Sequence, residues 1–344
     1  MKEQKFPSRK EMIKRLHEES FKRITFSFYR YVLIDNPEAL RIELLQKWKS
    51  LNVFGRIYLA HEGINAQLSL PAENYEAFCK ELYLDPRFLN IPFKIAIEDN
   101  GKSFYKLTIK IRSKIVADGL ADGSFDVTNV GTHLSAEEWN EAMNQKDTVV
   151  VDMRNFYESE VGHFDNAICP DAHSFRQELP MAKDMLQGKE EKKILLYCTG
   201  GIRCEKASAY LKHHGFKNVN QLYGGIIEYA RQVKLKGLQS RFKGKNFVFD
   251  ERMGEKITND IIGNCYQCGQ ACDSHYNCSN DSCHLLFIQC ETCRNKYKEC
   301  CSDECMKIMQ LLFDEQKKIQ RETAKNVPSA VFKSRERAKK TTLK

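Results

Sequence analysis

The sequence predicts an α/β chain in three parts, and three observations carry that reading. Residues 25–98 run in the order strand, helix, strand, strand, helix, strand. Residues 130–235 alternate apolar strands with amphipathic helices, the pattern of a parallel sheet. Ten of the 14 cysteines crowd into residues 265–305, where they mark a small Cys-rich metal-binding module. With 344 residues, 42% hydrophobic and 29% charged, the chain has material for two or three globular domains. It shows neither a run of about 18 apolar residues nor the apolar core of a signal peptide, so a cytoplasmic protein is expected.

In chain order, residues 1–23 read as a polar helical extension. Thr25 to Ile34 is a strand, Pro37 to Leu51 a helix, and Arg56 to Ala60 and Gln67 to Leu70 two further strands. Glu73 to Tyr83 is a helix and Phe93 to Glu98 a closing strand. This β-α-β-β-α-β order is the ferredoxin-like (acylphosphatase-like) α+β arrangement, assigned to residues 24–120, and by itself it specifies no function. In the loop His61-Glu62-Gly63-Ile64-Asn65, His61 and Glu62 could pair as acid and base; a turn built on Gly63 is the simpler reading. Phe104 to Val116 then carries Lys106, Lys110, Arg112 and Lys114 on one face of an extended segment. That face is either a phosphate-contact stripe or a lysine-guarded sheet edge.

The second domain is assigned to residues 130–250. Ser135-Ala-Glu-Glu138 is a capping box opening a helix through Met143. Thr148 to Val151 is a strand ending in Asp152-Met153-Arg154. Ligands of α/β sheets bind at such carboxyl ends, which makes Asp152 and Arg154 candidate substrate-binding residues. Ile194 to Tyr197 is a buried strand and Glu205 to Leu211 belongs to a helix. Between them Cys198-Thr199-Gly200-Gly201-Ile202-Arg203 presents a thiol at a helix N-terminus. The glycines let backbone N–H groups fold around the sulfur and Arg203 adds positive charge, so Cys198 is expected to be acidic and reactive. An inert buried cysteine is the ordinary alternative. Cys204 is either a resolving thiol or a packing residue, and packing accounts for it equally well. Gly215 stops the helix, Val219 to Leu222 is another strand, and Gly224-Gly225-Ile226 opens the last helix.

Residues 260–308 hold Cys265-x2-Cys268, Cys278-x4-Cys283, Cys290-x2-Cys293 and Cys301-x3-Cys305, with Cys272 and Cys300 left over. Four close pairs supply two tetrahedral thiolate sites, the preference of structural zinc, and so small a segment would draw much of its folding free energy from metal. A four-thiolate iron–sulfur cluster is the alternative. Tandem sites would join 265/268 with 278/283; a cross-brace would join 265/268 with 290/293. Residues 309–344 form a basic tail, helical or disordered: 316–344 carry ten Lys/Arg against Glu322 and Glu336, which equals the whole chain's net charge of +8. A basic tail on a neutral body points to a polyanion, nucleic acid first.

The Cys198-x4-Arg203 loop, preceded by Asp152-x-Arg154…Glu158-x3-Gly162-His163-x3-Ala167, resembles the rhodanese family. The resemblance implies a rhodanese-like parallel-sheet domain, Cys198 as nucleophile, Arg203 closing the loop, and a structural His163. A loop of four intervening residues favours sulfur over phosphoryl chemistry. Beyond that domain, four landmarks resemble the rhodanese-domain, oxygen-dependent tRNA uridine hydroxylases. They are Glu62-Gly-Ile-Asn65, Arg112-x2-Ile-Val-Ala-Asp-Gly-Leu120, Cys198-Thr-Gly-Gly-Ile-Arg-Cys204 and Asn246-Phe-Val-Phe-Asp-Glu-Arg252. This second resemblance implies hydroxylation at C5 of the wobble uridine, molecular oxygen as co-substrate, and tRNA rather than DNA or a membrane as partner. The alternatives are a persulfide sulfurtransferase acting through Cys198 and a binding adaptor without activity, which the intact loop argues against. No dinucleotide fingerprint follows a strand and no 2-His-1-carboxylate set is identifiable.

Overall fold

The structure, a computed structural model, describes residues 7–283 and 285–326. Helix α1 (Arg9–Glu18) opens on a Ser8–Glu11 capping box and leads into the first sheet. Its elements are β1 (Arg23–Tyr31), α2 (Pro37–Ser50), β2 (Phe54–Ala60), β3 (Gly63–Pro71), α3 (Tyr75–Tyr83), β4 (Lys94–Ile95) and β5 (Leu107–Ile111). The strand order is β4-β1-β3-β2-β5: the expected split βαβ sheet with β5 added parallel to β2. Strand alternation sorts β1. Phe26 and Phe28 join Trp48, Phe78 and Phe88 in the core, while Tyr29 and Tyr31 reach the second domain from the other side of the pleat. Closing strand β4 pairs over only two residues, shorter than expected. Gly63 is obligatory in its turn: at φ +142°, a Cβ would lie 2.0 Å from the Arg30 carbonyl oxygen. Lys106, Lys110 and Arg112 are exposed along edge strand β5, but Lys114 leaves that row to pair with Asp118 at 2.8 Å.

The second domain contains β6 (Thr132–Leu134), α4 (Ala136–Met143), β7 (Thr148–Asp152), α5 (Phe156–Ser159) and β8 (Gly162–Phe164). It continues through α6 (Phe175–Met185), β9 (Lys193–Tyr197), α7 (Ile202–His213), β10 (Asn218–Leu222) and α8 (Gly225–Lys236). Strands β6-β10-β9-β7 form a parallel sheet with a core on each face, one around Leu179, Leu196 and Leu211, the other around Trp139, Phe164 and Tyr229. Burial on both faces explains the unbroken apolar run of β9. Strand β11 (Phe242–Asn246) crosses antiparallel to β8 and to β12 (Glu255–Lys256). The Cys-rich module follows, with a hairpin of β13 (His275–Asn277) and β14 (Leu286–Ile288), then α9 (Glu291–Lys296) and α10 (Asp303–Gln310). Helix α11 (Phe313–Asn326) takes up the first part of the basic tail; residues 327–344 lie outside the described residues. Among the described residues no helix is long and apolar enough to cross a membrane.

Candidate active site

Strand β9 delivers Cys198 to the carboxyl edge of the parallel sheet, and the loop then wraps its sulfur. Gly201, at φ +96°, caps α7 and donates its N–H to Cys198 Sγ at 3.1 Å. From behind, the start of α8 clamps the loop: the N–H groups of Ile226 and Ile227 donate to the carbonyls of Cys198 and Thr199 at 3.0 and 3.2 Å. A Cβ at Gly225 would stand 2.5 Å from the Cys198 oxygen, so only glycine permits this approach. Arg203 turns under the loop, donates to both oxygens of the buried Glu158 at 2.7 and 2.9 Å, and reaches Thr199 Oγ1 at 3.2 Å. Burial alone would push the Cys198 thiol up. The Cys204 thiol's hydrogen bond, the Arg203 guanidinium and the N–H groups of Cys204 and Arg203 outweigh it and bring Cys198 down to about 5. Cys204 shifts the opposite way, raised by burial and by its bond to Cys198, and stays protonated as the donor. In the sequence, packing accounts for Cys204 as well as a resolving role does; the fold gives it this electrostatic task besides.

Cys198 is fully buried under the protein surface but lines a cavity of about 330 Å³ between the two domains. Its floor is Cys198, Thr199, Gly200 and Arg203, and its roof is the outer face of the first sheet, with Tyr29, Tyr58, Asn65 and Lys94. The four sequence landmarks converge here. Glu62 accepts from Lys206 Nζ at 2.9 and 3.0 Å and from the Ile115 N–H at 2.7 Å. Asp118 accepts from the same Lys206 at 2.8 Å. Lys206 is buried one turn after Arg203 on α7, so the two carboxylates clasp the first domain and its exit segment to the active helix. Arg252, held by Asp250 and Glu255, closes a side of the same cavity, and Glu255 accepts from the Ile97 N–H at 3.0 Å. His61 takes no part in an acid/base pair with Glu62, because its Nδ1 meets the Ile34 carbonyl at 2.9 Å.

The expectation for Asp152 and Arg154 is corrected. Both side chains are fully buried and pair with each other at 2.6 and 2.8 Å. Arg154 also donates to the Gly162 carbonyl at 2.6 Å, and Tyr197 donates to Asp152 at 2.7 Å. Neither residue lines the cavity. The chain turns inward after β7, so this pair ties β7 to β8 beneath the site instead of meeting substrate. His163 bonds its own neighbour's carbonyl, Nδ1 to Phe164 O at 3.0 Å, in keeping with a structural role. Lys94, Tyr29 and Lys206 belong to the site without having been singled out. The alternation of Tyr29 and Tyr31 with the apolar residues of β1 was the one available signal.

The eight paired cysteines form two clusters: Cys265, Cys268, Cys290 and Cys293, and separately Cys278, Cys283, Cys301 and Cys305, with all thiols of a cluster within 4.8 Å of one another. This is the cross-braced pairing. Neighbouring sulfurs stand 3.6 Å apart in the first cluster and 3.7 Å in the second. A tetrahedron of zinc–sulfur bonds of about 2.3 Å has edges of about 3.8 Å, so both clusters fit a metal ion. Cys272 and Cys300 are buried outside both sets.

Three family models match successive parts of the chain: UPF0176 acylphosphatase like domain at residues 23–115, Rhodanese-like domain at 135–232, and Rhodanase C-terminal at 243–306. A protein of Leptospira interrogans named tRNA uridine(34) hydroxylase is 58% identical over 308 residues, 90% of this chain and 84% of its own. An Escherichia coli protein of the same name is 57% identical over 288 residues, covering 83% of this chain and 82% of its own. One from Cronobacter sakazakii is 54% identical over 312 residues, 90% of this chain and 89% of its own.

Proposed function

The chain belongs to the tRNA uridine(34) hydroxylase family, and from that premise we propose that it hydroxylates C5 of the wobble uridine of tRNA, with molecular oxygen and a two-electron donor as co-substrates, one oxygen atom entering the ring and the other leaving as water, and with Cys198 as the reactive thiol. The observation that carries the reading is a thiol that takes a backbone N–H from its own loop, stands beside Arg203, and lines a cavity that the landmark residues of both domains enclose. C6 of uracil is electron-poor, and a thiolate is the nucleophile this cavity offers it. In that addition the sulfur supplies the pair for an S–C6 bond, the C5=C6 π pair shifts to C4–C5, and the C4 carbonyl π pair moves onto its oxygen. The ring gains one negative charge, C5 becomes electron-rich, and nothing is oxidised in this step. The active-site loop Thr199, Gly200, Gly201, Ile202 and Arg203 keeps the sulfur ionised, and the two four-thiol clusters hold structural zinc. An enzyme acting on tRNA works in the cytoplasm, and the basic tail supplies charge for the phosphate backbone.

The test is mass spectrometry of tRNA nucleosides from a strain lacking this protein, in a background without any other route to the modification. The 5-hydroxyuridine-derived nucleosides should disappear, return with the wild-type gene, and stay absent with Cys198→Ser. Normal hydroxylation in the deletion strain, or altered thiolated nucleosides alone, would replace the hydroxylase with the sulfurtransferase reading.

A further inference from the structure

Four cations line the Cys198 cavity: Arg56, Lys94, Arg203 and Arg252. Three have partners. Arg203 is held by Glu158, Arg252 by Asp250 and Glu255, and Arg56 donates to the Phe249 carbonyl at 3.4 Å. The Lys94 ammonium makes no hydrogen bond or ion pair with any described residue, although the residue is only 7% exposed. It stands in β4, the shortest strand of the first sheet, and its ammonium lies over the Tyr29 ring, 4.3 Å from the centroid. Its stem crosses to the second domain, where a Cβ on Gly200 would meet Lys94 Cδ at 3.6 Å and one on Gly224 would meet Cε at 3.8 Å. The stem thus lies against the cysteine loop and against the residue that caps α8. The stem is buried while the ammonium faces the cavity with no protein acceptor, so an oxygen of a molecule that enters finds a charged donor free to meet it.

We propose that Lys94 is the substrate-contacting cation of this site, donating to the C4 carbonyl oxygen of the bound uracil and countering the negative charge that collects there when the Cys198 sulfur adds to C6. The proposal rests on the uridine hydroxylase reading. It explains why the cavity is built between domains: the first domain supplies the cation and the second the nucleophile, so the ring is held only in the docked arrangement. The charged groups facing Lys94 are Cys198 on the loop, Glu205 on α7 and Glu228 on α8; Tyr29 beside it is engaged by Glu205 at 2.9 Å. Burial lowers the ammonium to about 8 while those anions pull upward, so it is charged at pH 7 and loses its proton in mild alkali.

The experiment compares the full-length wild type with K94M and K94R, measuring 5-hydroxyuridine formed on an anticodon stem-loop RNA, its kcat-against-pH profile, and thermal unfolding. K94M should lower kcat by about 10²–10³-fold, the usual loss on removing one donor to a developing oxyanion. Its unfolding temperature should not fall, because the ammonium has no hydrogen bond or ion pair among the described residues to lose and methionine keeps the apolar stem. Wild-type activity should decline as pH rises through about 8; K94R should keep at least about a tenth of the activity and move that limb to higher pH. Retention of wild-type kcat by K94M, or a loss matched by unfolding, would overturn the role of Lys94 alone. A wild type that forms no 5-hydroxyuridine would overturn the underlying reading with it.

Discussion

Replacing Cys204 by alanine tests the electrostatics of the site directly. In the wild type Cys198 lies at about 5, against an ordinary value of 9.0, so at pH 7 the sulfur is almost entirely thiolate. The Cys204 thiol is the largest of the contributions that lower it. A hydrogen bond to a charged group contributes about 1.5–3 kcal/mol, and one pKa unit corresponds to about 1.4 kcal/mol. Losing this donor should therefore raise Cys198 by about one to two units. The Gly201 N–H at 3.1 Å and the Arg203 guanidinium remain, which stops the value returning to that of a free thiol. The assay is alkylation by iodoacetamide as a function of pH, followed by mass spectrometry of the peptide bearing Cys198 so that the other 13 thiols do not interfere. The midpoint should move from about 5 to about 6–7. The same shift has a signature in stability. Because the folded value lies below the unfolded one, the thiolate's contribution is complete above about pH 9 and is lost as pH falls through about 5. At pH 7 two units of it are in force, on the order of 3 kcal/mol, and Cys204→Ala should remove about half or more. An alkylation midpoint that stays at the wild-type position, or moves down, would refute the role of Cys204 as donor.

Two further outcomes test the architecture. Lys206→Met strips Glu62 and Asp118 of their shared cation; because Asp118 keeps Lys114 at 2.8 Å, the loss should sit near the lower end of the range for broken buried pairs, about 3 kcal/mol. Thermal or denaturant unfolding reads this, and a change below about 1 kcal/mol would show that the clasp does not hold the domains. The full chain, purified without added metal, should carry two zinc ions by elemental analysis, and Cys290→Ser should lose one of them. Iron with visible absorbance would replace zinc, and a variant that keeps both ions would refute the cross-braced clusters.

What the sequence determined by itself is local. The Cys198 loop, the helix following it, the capping box at Ser135 and the thiol pairs are each specified by residues a few positions apart, and each stands in the structure where its spacing put it. Strand alternation likewise sorted β1 into a core face and a second face, because the pleat has a period of two. The tertiary structure alone decided the rest. Lys206 meets Glu62 across 144 positions and Asp118 across 88, and no periodicity connects residues brought together by the docking of two domains. The four thiol pairs are compatible with tandem and crossed arrangements alike, and the β13–β14 hairpin with α9 and α10 selects the crossed one. Asp152 and Arg154 do stand at the carboxyl end of a parallel strand, but whether a strand end faces ligand or core depends on where the next segment turns. Here it turns inward and buries them. Lys94 carries no local signal, being one lysine among many in a two-residue strand. Its significance arises only in the folded chain, where Tyr29 of its own sheet lies beneath the ammonium, the second domain sets the Cys198 loop and the α8 cap against its stem, and no carboxylate of the described residues forms an ion pair with it.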